Sequence, residues 1–302
     1  MMTLKYSARI IVLAALVWIC ISLKIPALSS QTAQNKQQAA ADELDSYLKK
    51  MAAYCLRLES VAFDFVCLEA ITEEINPALD VKLPESLHDW AFNDRERRRA
   101  GFPSSLKKIK NSYIYDYQCV RAKQQIREIR TLLEENGKKT NEPNAELKTS
   151  VVVYGRVLIS PVNIFGERFQ PYYDYKIIGE DKINKRPVVI IDAVPKPGVP
   201  ERKNPHGKAW VDAQTSDILK IEWSEKYIGR YDIFEQRGER YKRKPRLTIA
   251  SEFNTEKNGI RFPSSLFIEE AYVNDRGRAF VRSKTNVVYK EFKFFTVEVE
   301  VK

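Results

Sequence analysis

Histidine is nearly missing from this 302-residue chain, which has only His88 and His206. Neither has a second His or a Cys at metal-ligand spacing, so a zinc site has no donor set to build on. His206, between Pro205 and Gly207, reads as a loop residue. Glycine is also scarce, 11 in all, and no two glycines are separated by a single residue. That removes the dinucleotide-binding fingerprint. There is no phosphate-cradling Gly-rich loop and no Gly-x-Ser-x-Gly nucleophile elbow. No internal stretch is rich enough in Gly, Pro or Ser to serve as a linker. No cofactor is implied.

Hydrophobic residues make up 44% and charged residues 30% of the chain, a globular rather than a disordered balance. Aromatics reach 11%, with 15 Tyr and 14 Phe, an enrichment that suits strands. The net charge is +10. Most basic residues alternate with Glu and Asp, so a mixed, solvated surface accounts for it. Tyr113, Tyr115 and Tyr117 at strand spacing read as core, not as a base-stacking platform, and no nucleic-acid partner is expected.

Residues 1–29 read as a signal peptide. Lys5 and Arg9 precede the uncharged run Ile10–Leu23, and Ala27-Leu-Ser29 offers small residues at a cleavage site. The run is shorter than the roughly 20 residues of a spanning helix. An exported protein of the periplasm or cell envelope follows, with an uncleaved N-terminal anchor as the alternative. Residues 30–41 form a polar, Gln-rich, flexible spacer, and 42–302 a single domain. Asp42–Leu58 is a helix whose apolar face carries Leu44, Leu48, Met51, Ala52, Cys55 and Leu58. The period then changes to two at Phe63, Phe65 and Cys67, a first strand running to about Ile75, with Glu69 interrupting its apolar face.

Residues 77–111 read as an exposed insertion. Its basic run, Arg95–Arg99, allows peripheral contact with anionic lipid or a protein partner. Ser112–Lys139 reads as a long hairpin ending at the Asn136-Gly137 turn, with a helix from Arg121 to Glu135 as the alternative. Ile159–Phe165, broken by Pro161, reads as a short helix or bent loop lying on the sheet. Further strands follow at Tyr172–Ile178, Val188–Ala193, Leu247–Phe253, Ile260–Glu270 and Ala279–Glu300.

Three cysteines lie beyond the signal: Cys55, Cys67 and Cys119. Export permits a disulfide, and Cys67 with Cys119 is the candidate pair if their strands are neighbours, with Cys55 as the alternative partner. Since the number is odd, one thiol stays free whichever pair forms.

The clearest hairpin is Lys208–Trp223. In its second strand Leu219, Ile221 and Trp223 share one face, and Ile218, Lys220 and Glu222 the other. Ala209 and Val211 supply the apolar face of the first strand. Asp212 and Glu222 are placed to face one another across it, a pair that suits glycosidase-type work. Pairing with a neighbour such as Lys220 is the simpler reading.

Helix Asp42–Leu58 leading into Phe63–Ile75, and Gly207–Trp223 with Val211, Asp212, Thr215 and Ile218 in a V-D-x-x-T-x-x-I pattern, resemble the outer-membrane lipoprotein carrier-like superfamily. Ile159–Phe165 is similar to a Pro-containing apolar segment of some members. The chain is longer than typical carriers and adds the 77–111 insertion. The resemblance implies an α+β fold: a strongly curved antiparallel sheet, an open half-barrel, with an N-terminal helix and short helices on the concave side. It implies a non-enzymatic binder of lipid or another apolar ligand, lined by Phe65, Phe165, Tyr173, Trp223 and Phe262. A structural or interaction module of an envelope assembly, with an envelope protein partner and no cavity, is the alternative. A hydrolase using surface carboxylates is a distant third.

Overall fold

The structure is a computed structural model and describes residues 25–63, 65–80, 107–122, 125–151, 154–200, 204–225 and 231–295. The signal run Ile10–Leu23 and the basic run Arg95–Arg99 lie outside them. Two compact units divide the chain after Leu48.

The first unit contains the opening part of helix α1 (Ile25–Val61). Residues 30–41, expected as a flexible spacer, are helical. Ala, Gln and Lys are good helix formers, and no Gly or Pro interrupts this stretch. Gln38 donates to Asp42 one turn on, at 2.9 Å.

In the second unit α1 continues, with Met51, Tyr54, Cys55 and Leu58 all buried on one face. That is the three-and-four spacing of an amphipathic helix. The strands β1 (Phe65–Ile75), β2 (Ile109–Ala122), β3 (Gln125–Glu135) and β4 (Lys138–Glu142) follow. A short helix α2 (Val162–Phe165) precedes β5 (Tyr173–Ile183), β6 (Arg186–Pro195), β7 (Gly207–Asp212) and β8 (Ile218–Trp223). Next come helix α3 (Tyr231–Tyr241), β9 (Lys244–Glu252), the small hairpin β10 (Thr255–Lys257) and β11 (Ile260–Phe262), then β12 (Ser265–Val273) and β13 (Ala279–Phe294).

Eleven strands form one sheet in the order β4-β3-β2-β1-β13-β12-β9-β8-β7-β6-β5. Every pairing is antiparallel. β4 and β5 end the sheet without meeting, so it stays an open half-barrel. Both ends are poor templates for further pairing. β4 is five residues long, fully exposed and begins Lys138-Lys139. β5 carries a bulge at Ile178. Charge and bulges are two ways edge strands avoid recruiting another chain.

The Ser112–Lys139 hairpin forms as expected, as β2 and β3. Helix α3 was not expected. The central hairpin forms, but its faces differ from the simple alternation. Ala209 pairs Ile221 and Val211 pairs Ile218, with a register shift at Leu219. The extra residue puts Ile218 on the same face as Ile221. Leu219 packs instead with Trp210 and Val188 on the opposite face. Asp212 does not face Glu222, which pairs Lys208. Asp212 closes the turn, accepting from the N–H groups of Gln214 (2.9 Å) and Thr215 (3.1 Å). Gly207 is required at the hairpin's open end: a Cβ there would lie 2.1 Å from the Glu222 carbonyl oxygen.

Candidate functional site

Strand pairing defines one inner face across the sheet. On β1 it carries Phe65, Cys67, Glu69, Ile71, Glu73 and Ile75, all buried. On β2 it carries Tyr113, Tyr115, Tyr117 and Cys119. On β12 and β13 it carries Leu266, Ile268 and Glu270 opposite Val287, Thr285 and Ser283. On β6–β8 it carries Val189, Ile191, Ala209, Val211, Ile218 and Ile221, all buried.

The wing formed by β1–β3 is polar at its centre. Arg130 of β3 donates through Nε and Nη2 to the two Glu69 oxygens at 2.6 and 3.2 Å. Its Nη1 reaches Glu128 at 3.4 Å, and its guanidinium lies 4.9 Å from the Tyr117 ring centre. The Tyr154 and Tyr289 hydroxyls donate to Glu69 at 3.2 and 3.1 Å, and the Tyr117 hydroxyl to Glu128 at 2.8 Å. Burial works against a charged Arg130, but the hydrogen bond and charge of Glu69 outweigh it and hold the guanidinium protonated. Burial pushes the Tyr117, Tyr154 and Tyr289 hydroxyls well above the ordinary tyrosine range, and the neighbouring Glu69 and Glu128 charges add to it. The network is fully paired, as a buried charge cluster must be.

A second buried carboxylate, Glu270, accepts from Arg237 (3.0 Å) and Tyr272 (2.5 Å) on one oxygen. Arg282 and Ser283, each at 3.0 Å, donate to the other. Arg282 also reaches Asp80 at 3.0 Å, and Tyr241 donates to the same aspartate. Burial opposes the Asp80 charge, yet Tyr241 and Arg282 hold its carboxyl below the ordinary value. This cluster ties α3 and residues 77–80 to the sheet.

The expected ligand-lining side chains are packed. Phe65 and Phe262 are fully buried, with ring centres 5.3 Å apart, and Phe292 lies 5.2 Å from Phe65. Phe165 is fully buried 5.8 Å from the Tyr175 ring. Tyr173 donates to the Pro205 carbonyl at 2.8 Å. Trp223 is half-buried and donates to Ser251 at 2.9 Å. It borders a cleft of about 360 Å³ shared with Asp192, His206, Lys208 and Glu222. The structure brings Phe65 together with Phe262, and Phe165 and Tyr173 onto Tyr175. His206, expected as a loop residue, is buried, its Nδ1 3.0 Å from the Asn204 carbonyl.

Among the described residues Cys55, Cys67 and Cys119 are all free thiols, against the expected Cys67–Cys119 bridge. Cys67 lies opposite Tyr117, so Cys119 sits two residues along on the neighbouring strand. That diagonal spans roughly 7–8 Å, past the roughly 7 Å beyond which a disulfide needs backbone movement. Burial raises all three thiols, Cys119 to about 11. Among the described residues, no group of three or more His, Cys, Asp or Glu is placed to hold a metal.

No family model matches this chain, and no curated protein matches it. Solved structures do. One is a DUF1329 family protein from Desulfovibrio piger, with TM-score 0.38 and 12% identity, covering 82% of this chain and 92% of that one. Another is a LolA superfamily protein from Nitrosomonas europaea, with TM-score 0.34 and 11% identity, covering 84% and 94%.

Proposed function

We propose that this chain is an exported, non-enzymatic half-barrel binding protein for an apolar, acyl-type ligand at the cell envelope, here with its inner face closed. The supporting observation is the make-up of that face. Its β6–β8 wing is a contiguous aliphatic surface. The adjoining β5 face meets the short α2, whose Ile164 carbonyl accepts from Tyr175 at 2.5 Å. α1 contributes a single buried stripe and a bond from Tyr54 to the Arg261 carbonyl at 2.8 Å. Packed helices leave an apolar surface more easily than a laddered strand does. Native mass spectrometry of the purified chain, with organic extraction and labelled acyl chains, tests this. Reproducible absence of lipid together with no uptake would sink it.

The packed state of Phe65, Phe165 and Phe262 favours a second reading, an interaction module with a filled core. Deleting residues 84–106 separates the two in a membrane pull-down. Loss of partners with acyl binding intact supports the second.

A further inference from the structure

The segment after β4 crosses the inner face of β1–β3; Ala145 N–H donates to the Arg130 carbonyl at 2.9 Å, but beyond it the N–H groups of Lys148, Ser150, Val151 and Arg156 go to side chains. Lys148 N–H donates to the Tyr115 hydroxyl at 3.1 Å. Ser150 and Val151 N–H both donate to one oxygen of Glu73, at 3.0 and 3.1 Å. Arg156 N–H donates to Glu128 at 2.5 Å, and the Tyr154 hydroxyl to Glu69. At Gly155 a Cβ would come 3.0 Å from the other Glu128 oxygen, so the chain passes close against this carboxylate.

We propose that runs 146–151 and 154–157 form a detachable strap latched by Glu73 and Glu128, whose vacated seat takes an acyl ligand with an N–H-bearing head group. A ladder strand cannot leave without breaking a row of backbone bonds. This strap leaves by breaking bonds to rotatable carboxylates, so it opens locally. Glu69 keeps Arg130 when it does, because that pair is held within the sheet. Glu73 and Glu128 instead lose their backbone donors. A seat of vacated acceptors selects an ammonium or amide head over a carboxylate one. Tyr113, Tyr115 and Leu132 beneath supply the apolar floor.

The head-group preference rests on the binder reading, but the opening does not, and hydrogen exchange on the full chain measures it without ligand. In native-state exchange across a urea series, amides of 148–151 and 154–156 are expected to exchange by a denaturant-insensitive local opening, ahead of β1 and β12. Glu73→Gln and Glu128→Gln are each expected to speed them by roughly tenfold or more while β1 and β12 stay unchanged. Strap amides that exchange only with global unfolding overturn the strap, and this holds even if a variant fails to fold. Dodecylammonium below its micelle concentration is expected to bind, and dodecanoate not. The reverse order overturns the seat. Binding of neither probe, with the strap opening locally, overturns the binder reading and leaves the strap standing.

Discussion

On β1–β3 the inner face is held by Glu69, Glu73, Glu128 and Arg130; on β6–β8 the matching layer is Val189, Ile191, Ala209, Val211, Ile218 and Ile221. The first wing is directional. Each carboxylate fixes a named donor at hydrogen-bond distance, and a mismatch leaves a desolvated charge. The second is non-directional, tolerating volume-conserving changes and responding mainly to voids. One sheet thus holds one cover by recognition and another by area.

The sharpest way to break this contrast is Arg130→Met, which strands Glu69 in the interior. It is expected to cost about 3–5 kcal/mol, read as a lower urea midpoint at constant slope. The double change Glu69→Gln with Arg130→Met should recover most of that loss. A single variant as stable as wild type would show that the polar wing does not depend on its charges. In the apolar wing, Ile191→Ala or Ile221→Ala is expected to cost about 2–5 kcal/mol, with no rescue by any partner change.

Alkali addresses the polar wing and the Glu270 cluster. Tyr241, raised by burial and by Asp80, reaches about 12 against an ordinary 10.0. Tyr117, Tyr154 and Tyr289 are raised further. These groups stay protonated when folded, so their stabilisation is complete below pH 10 and is lost as pH rises through the folded values. Unfolding midpoints should therefore fall from about pH 10 upward, with tyrosinate absorbance rising in step. At the hairpin turn, burial opposes the Asp212 charge, but the Thr215 and Gln214 N–H groups and Arg186 hold its carboxyl below 3.8. Its contribution is present above 3.8 and lost as pH falls through the folded value. Asp212→Ala should cost about 1.5–3 kcal/mol at neutral pH and flatten the acid limb of the stability curve. Glu269 sits on the outer face with half-exposed Arg246 and Lys284 partners. Glu269→Gln should change stability by no more than about 1 kcal/mol.

Strand alternation made most of the sheet legible, from Phe65–Ile75 through the Tyr113–Tyr117 face to Leu247–Phe253; the expected strand Ile260–Glu270 is instead split, with Ile260–Phe262 pairing in the separate β10–β11 hairpin and Ser265–Val273 in the main sheet. A local pattern could not show the bulge at Leu219, because one extra residue is set by pairing across the hairpin. Helix α3 did leave a trace: Phe234, Gly238 and Tyr241 are buried at helical spacing. Its many charges masked that stripe. Glu69 looked like a flaw in an apolar strand. Its explanation, Arg130, lies 61 residues away on β3, beyond any motif window. Phe65, Phe165, Tyr173 and Phe262, named as lining on the resemblance, are buried. Whether the inner face was open or filled depended on covers that carry no signal of where they land.

Strands β1–β4 reach the remaining strands of the sheet only through the β1–β13 pairing: Glu69 pairs Tyr289, and Ile71 pairs Val287. The strand made near the beginning must therefore wait for one made near the end. By contact-order reasoning this is a slow, late closure. Until β13 emerges, β1–β4 is a meander with an open flank, exposed to proteases and to the wrong edge. A chain emerging in order, as during synthesis or translocation, meets that interval every time it folds. Ribosome-stalled or C-terminally shortened chains ending before residue 279 should thus be kinetically trapped as two unjoined wings, and proteolysis would cut first between them.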